Sequence, residues 1–344
     1  MWIQVLLLIV GFAMLYYGAE WLVKGSANLA RSLGVSPIVI GLTVVAFGTS
    51  APELVVSVIS SLADKSMIAV GNVVGSNICN IALVLGASAF LVPLKADKSV
   101  IKRDIPLMLA ISLYLLLITF NSSISRLEGA TLFTGVIAYT IFNYYISARE
   151  SKLVAAGMSG GAGTAGFDEY EHASTLYEET EQEIDDIGIV ESRKKQILLI
   201  ITGIACVVIG AQVLIDAAVI IMKNFGVSEK FIGLTIVALG TSLPELATSV
   251  VAALRKEMDI SIGNLIGSNV FNILSVIGMA GLVRPIPIPG GFIGSGLIYD
   301  YLVMMFTSLL PWLIMRKDYT IGRMGGFSLL LCYAGYITYL VYMR

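Results

Sequence analysis

The chain is dominated by apolar runs too long for any soluble fold. About ten of them approach or exceed the roughly 18–20 residues that cross a bilayer as a helix. They fall at 2–23, 37–62, 67–92, 105–121, 128–147, 196–222, 230–254, 260–283, 297–315 and 322–342. Hydrophobic residues make up 57% of the 344 residues and charged ones 13%, so little polar surface is available to solvate a compact globule. In hydrocarbon the backbone must satisfy its own polar groups, which leaves helices or closed barrels. Long aliphatic runs rather than short alternating segments select helices. The expected fold is an all-α membrane protein of ten transmembrane helices. The first run lacks a basic leader and a small-residue cleavage site, so it is read as a span.

Basic residues set the expected orientation. Ten spans put both termini on one side. The connections after spans one, three, five, seven and nine then share the other side and carry 16 of the 22 Lys and Arg. The richer side is cytoplasmic. Both termini are therefore expected outside, in a multi-pass protein of the cell membrane, with the 148–195 loop inside.

The chain also repeats itself. Gly41–Leu91 aligns without a gap on Gly233–Val283 at an offset of 192, with 24 of 51 positions identical. The same offset pairs Gly18-Ala19 with Gly210-Ala211 and Pro93 with Pro285. This divides the chain into a first repeat (1–147), a linker (148–195) and a second repeat (196–344). Five spans per repeat is an odd number, so the second repeat must enter the membrane from the opposite side. Such inverted repeats are a feature of secondary transporters, whose substrate site lies near the midplane. The matching positions are polar and glycine-rich, whereas duplication for stability alone would preserve packing residues.

Two polar motifs recur. Gly48-Thr49-Ser50-Ala51-Pro52-Glu53 is echoed by Gly240-Thr241-Ser242-Leu243-Pro244-Glu245, each deep in an apolar run. Proline there removes a backbone donor and crowds the preceding turn, so each helix is expected to break around Thr49–Pro52 and its counterpart. The break frees carbonyl oxygens beside a carboxylate. A carboxylate at that depth costs a few kcal/mol or more and marks function. Glu53 and Glu245 are the acidic residues placed deep within spans. Glu20, Asp104, Glu128, Asp216 and Asp300 fall near span ends, where solvated interfacial roles are expected.

The second motif runs from Gly71 to Asn80 and again from Gly263 to Asn272. Asn72, Ser76 and Asn80 share one helix face, as do Asn264, Ser268 and Asn272. For Ser76, Asn80, Ser268 and Asn272 ion contact is the preferred reading. For Asn72, Asn77, Asn264 and Asn269, an amide ladder joining helices and ion contact are equally open. The motifs supply carboxylate, carbonyl, hydroxyl and amide oxygens, the ligands of hard cations such as Ca2+ and Na+.

These paired segments resemble the alpha repeats of the sodium/calcium exchangers, within the calcium/cation antiporter superfamily. The resemblance extends over nearly all ten spans. It implies exchange of Na+ for Ca2+ at a four-helix site with no cofactor. It implies that Glu53 and Glu245 bind Ca2+ with the carbonyls of Thr49 and Thr241. It implies Na+ positions using the Ala46 carbonyl with Ser76 and the Ala238 carbonyl with Ser268, with Asn80 and Asn272 at the centre. It further implies that spans one and six, led by Gly18 and Gly210, slide as a gate. Some relatives carry aspartate where this chain has Asn80 or Asn272, which disfavours K+ co-transport here. The proton-coupled branch has a glutamate after the Gly-Asn pair, where this chain has Val73-Val74 and Leu265-Ile266. H+/Ca2+ and K+-dependent exchange remain the alternatives.

Other classes find little support. The lone histidine, His172, sits in a polar loop, and the cysteines, Cys79, Cys206 and Cys332, lie in apolar runs and read as packing residues. An intramembrane protease would need paired aspartates, or serine with His or Lys, at membrane depth. A passive channel would need no counter-ion. No basic patch suggests nucleic acid, and the partners expected are ions and lipid, with a monomer as the functional unit. The linker is glycine-rich at 157–166 and holds ten acidic residues at 168–191. It reads as a solvated connection, with weak Ca2+ sensing and a short helix near 170–187 as further readings.

Overall fold

The structure, a computed structural model, describes residues 2–158, 188–226 and 238–343. Helices account for nearly all of it: α1 (Trp2–Leu33), α2 in two pieces (Pro37–Thr49 and Ala51–Leu62), α3 (Ser66–Leu91), α4 (Ile105–Thr119), α5 (Arg126–Met158), α6 (Arg193–Asn224), α7 (Leu243–Leu254), α8 (Met258–Val283), α9 (Leu297–Met315) and α10 (Arg323–Met343). Among the described residues, six helices are long and apolar enough to cross a membrane, or seven if the bent pair forming α2 is one span. α4 has 15 residues, extended at its start by a wide turn over Val100–Asp104, and α7 has 12. α5 is 33 residues long, reaching past the expected end of the first repeat.

The helices form two packing units. α1 and α6 lie against each other along their length. Glycines one heptad apart, Gly11 and Gly18 on α1 and Gly203 and Gly210 on α6, permit the approach. A Cβ on Gly18 would stand 2.8 Å from the Val207 amide, and one on Gly203 2.6 Å from the Leu22 amide. Small residues at such crossings let backbones meet and gain dispersion contact. The larger unit is an apolar core drawn mainly from α2 to α5 and α8 to α10, with Leu42, Ile78, Ile105, Leu132, Ile277 and Tyr301 among its fully buried members.

Two short antiparallel pairings fasten connections between distant helices. β1 (Leu94–Lys95) pairs with β4 (Thr320–Ile321), and β2 (Ser123–Ile124) pairs with β3 (Ile286–Pro287). In each the inward residues, Leu94 with Ile321 and Ile124 with Ile286, are wholly buried.

Two expectations about acidic residues are corrected. Asp104 is buried, because the Arg103 guanidinium folds back onto it at 2.8 and 3.3 Å. Asp300 is also buried and accepts a hydrogen bond from the Tyr336 hydroxyl at 3.4 Å. Glu20, by contrast, pairs with Arg255 at a partly exposed position. Glu128 caps the start of α5, accepting from the Ser125 amide at 2.7 Å.

The linker's last residues are also more engaged than a solvated connection requires. The Val190 amide donates to Asn28 Oδ1 at 2.8 Å, and Gln196 Nε2 donates to the Val190 carbonyl at 2.6 Å. The helix considered near 170–187 lies outside the described residues.

Candidate cation site

α2 breaks where its sequence forces it to. The ladder of backbone bonds runs from the Ser50 amide to the Ala46 carbonyl at 3.0 Å, and resumes from the Leu54 amide to the Ser50 carbonyl at 3.1 Å. Between them Pro52 has no amide to offer the Gly48 carbonyl. The two pieces of α2 meet at 46°. The second motif behaves alike. Ala238–Gly240 is a single helical turn, α7 restarts at Leu243, and the Leu246 amide closes on the Ser242 carbonyl at 3.0 Å. Ala238 stands at the edge of the described residues.

Both carboxylates are fully buried. They lie within electrostatic reach of each other, and hydroxyls link each to the opposite half of the chain. Ser50 Oγ donates to Glu245 Oε1 at 3.2 Å, and the Thr49 hydroxyl also reaches Glu245. Ser76 Oγ donates to Glu53 Oε1 at 3.5 Å, while Thr241 reaches Glu53 and Ser268 reaches Glu245.

α3 and α8 flank the carboxylates with amides. Each carries a wide, π-type turn, over Cys79–Leu85 and Asn272–Ile277. Such turns rotate the helix face and recur at functional sites. Here they begin beside Asn80 and at Asn272. Asn77 Nδ2 donates to the Asn269 carbonyl at 3.2 Å, and Asn269 Nδ2 to the Asn77 carbonyl at 3.4 Å. Asn80 Nδ2 donates to Asn269 Oδ1 at 3.2 Å, and Asn272 Nδ2 to Asn77 Oδ1 at 3.1 Å. Farther out, Asn72 holds Ser57 and Asn264 holds Ser249, both at 3.0 Å. Every one of these bonds has its counterpart 192 residues away. Asn72, Asn77, Asn264 and Asn269 thus all bond across helices, while Asn264 Oδ1 also accepts from the Thr49 hydroxyl at 3.2 Å.

Some of the site's oxygens are left over. Among the described residues, Glu53 Oε2, Glu245 Oε2, Asn80 Oδ1 and Asn272 Oδ1 are buried without a hydrogen-bond partner. A buried polar atom without a partner costs free energy, and two partnerless carboxylate oxygens close together cost more. The donor set is oxygen throughout, which suits a hard cation. Close approach of the helices is built in. A Cβ on Gly267 of α8 would stand 2.6 Å from the Leu42 carbonyl of α2.

The structure therefore places Glu53, Glu245, Thr49, Ala46, Ser76, Ser268, Asn80 and Asn272 in one buried neighbourhood, with Thr241 half-buried beside it. Motif reading had not assigned Ser50, Ser57 or Ser249. Ser50 carried a signal, since it is a hydroxyl three residues before the glutamate in a repeated motif.

The arrangement is that of a polytopic helical transporter, with broken helices meeting at a buried acidic centre. The chain belongs to the sodium/calcium exchanger protein family, whose profile matches residues 3–146 and 195–342. Among curated relatives, the sodium/calcium exchanger MaX1 of Methanosarcina acetivorans is 31% identical over 364 residues, covering 99% of each chain. The inner membrane protein YrbG of Escherichia coli is 33% identical over 337 residues, covering 97% of this chain and 94% of its own. A solved structure of the sodium-calcium exchanger NCX_Mj superposes with a TM-score of 0.76 at 31% identity, covering 99% of each chain.

Proposed function

We propose that this protein is a secondary antiporter exchanging Na+ for Ca2+ by alternating access at a midplane site. Ca2+ is held by the carboxylates of Glu53 and Glu245 and the carbonyls of Thr49 and Thr241. Na+ takes neighbouring positions, one at the Ala46 carbonyl and Ser76, the other at the Ala238 carbonyl and Ser268, with Asn80 and Asn272 closing the centre. The observation that carries this reading is the symmetric set of buried oxygens on Glu53, Glu245, Asn80 and Asn272 that have no hydrogen-bond partner among the described residues. Two carboxylates balance one Ca2+. The same oxygens serve Na+ in its absence, so the ions compete. An empty pair of carboxylates is costly to carry through the apolar barrier, which couples movement in one direction to movement in the other.

The recurrence at an offset of 192 of the side-chain bonds made by Asn72, Asn77 and Asn80, with the odd number of spans per repeat, supports two five-helix repeats of opposite orientation within ten spans. In this reading both termini face outward and the 148–195 linker lies in the cytoplasm. The proteins named above are transporters or membrane proteins, which supports transport rather than enzymatic turnover. The test is uptake of labelled Ca2+ into vesicles loaded with Na+. Uptake should require the outward Na+ gradient and persist without a pH gradient or K+. Uptake driven by H+ alone, or none above a Na+-free control, would overturn the assignment.

A further inference from the structure

α4 and α9 run antiparallel, and the Thr119 hydroxyl of one donates to the Tyr301 hydroxyl of the other at 3.4 Å. Between the helices lies a cleft of about 340 Å3, lined by Leu109, Ala110 and Leu113 of α4 and Met305, Phe306 and Leu309 of α9. Every lining residue is apolar. Leu113 is 46% exposed and Phe306 56%, so the cleft opens on the surface of the bundle, where a membrane protein meets lipid.

The two ends of the cleft differ in charge. The register that sets Thr119 beside Tyr301, carried along both helices, brings Lys102 level with Lys317. Lys102 stands seven residues before Leu109 and Arg316 seven after Leu309, about 10 Å along each helix. The β1–β4 pairing draws the two connections together, with the Ala96 amide donating to the Tyr319 carbonyl at 2.7 Å. Lys98, Lys102, Arg316 and Lys317 are exposed, and none forms an ion pair among the described residues. The acids nearby are mostly engaged. Asp104 holds Arg103, Asp97 accepts from the Ser99 amide at 2.6 Å, and Asp318 is exposed. At the far end, residues 113–123 and 290–304 contain no Lys or Arg.

We propose that this cleft seats an acyl chain of an anionic phospholipid whose phosphate is held by Lys102, Arg316 and Lys317, with Lys98 beside them. Basic residues gathered at one end of a groove between spans attract anionic headgroups of that leaflet, and the apolar lining below them takes the chain. On the orientation proposed above, the leaflet is the cytoplasmic one. A second copy of the chain fits less well. A symmetric pair in one membrane would set the same basic end against itself, and like charges would repel.

Trp312 reports on the site. It is half-buried on α9, three residues after Leu309 and four before Arg316, and the other tryptophans, Trp2 and Trp21, lie on α1. The experiment uses the full-length chain carrying Trp2→Phe and Trp21→Phe, in phosphatidylcholine vesicles with rising fractions of a lipid whose acyl chains are brominated, since bromine quenches indole fluorescence on contact. Brominated phosphatidylglycerol should reach half its quenching at a fraction about tenfold lower than brominated phosphatidylcholine. Changing Lys102, Arg316 and Lys317 together to Gln should remove that difference. Ala110→Phe fills the cleft and keeps the charges, and should cut the difference to about threefold or less. Equal quenching by the two lipids, or a difference that outlasts loss of the three charges, would overturn the proposal. A difference untouched by Ala110→Phe would show attraction to the surface without a seated chain and overturn it too. So would a Trp312 shielded from both lipids in a particle of twice the monomer mass, which would place a second copy on the cleft. Both leaflets of the vesicle carry the brominated lipid, and no ion gradient is involved, so the outcome stands apart from the orientation and from the exchange reaction.

Discussion

Single residues carry the site, and their chemistry was unevenly visible in the sequence. Glu53 and Glu245 stood out because a carboxylate within an apolar run has no ordinary use. Ser50, Ser57 and Ser249 did not, because a serine in a membrane helix commonly bonds its own backbone. The burial of Asp104 was hidden for a related reason, since an arginine next in sequence can neutralise an acid wherever the pair is placed. We predict that Glu53→Gln and Glu245→Gln each lower Na+-driven Ca2+ uptake by about 100-fold or more, with monodisperse elution and helical circular dichroism retained. Wild-type uptake in either folded variant would contradict the assignment. Outside the spans, Glu257 sits in the turn between α7 and α8, buried, with neither carboxylate oxygen bonded among the described residues. Burial, and then the charge of Asp259, push its pKa from 4.5 up to about 8. The folded protein therefore holds a proton that the unfolded chain releases, and stability falls as pH rises between about 4.5 and about 8. Thermal melts across that range should show wild type losing ground relative to Glu257→Gln as pH rises. Parallel curves would show that the residue does not titrate this way.

Elements were legible where one residue type forces the backbone. Pro52 and Pro244 announced the helix breaks, and the apolar runs announced the long helices. The wide turns of α3 and α8 carry no comparable mark, since the residues of Cys79–Leu85 and Asn272–Ile277 would suit an ordinary helix. Gly263 and Gly267 of α8 both pack closely against the α2 backbone. Gly267→Ala should therefore destabilise the protein by about 1–3 kcal/mol through overpacking. Its thermal midpoint in detergent measures this, and an unchanged midpoint would show that α2 and α8 yield without cost.

At the scale of the whole molecule, hydropathy and the repeat carried most of the information. The helices follow the apolar runs closely, yet length and composition alone qualify six or seven of them as spans. The attachment of Val190 to Asn28 and Gln196 was not foreseeable, because it depends on α1 and α6 lying side by side. The proposed inverted ten-span arrangement makes a topological prediction. An impermeant thiol reagent added to intact cells should label Asn121→Cys and spare Lys98→Cys, while both should react in opened membranes. Labelling of both from outside would contradict the arrangement. The central claim is that Glu53 and Glu245 share one cation, and a crystal structure of the protein soaked in Ca2+ without Na+ tests it most directly. The account predicts a single strong peak about 2.3–2.6 Å from carboxylate oxygens of both residues. A peak bound to only one of them, or elsewhere in the molecule, would contradict it.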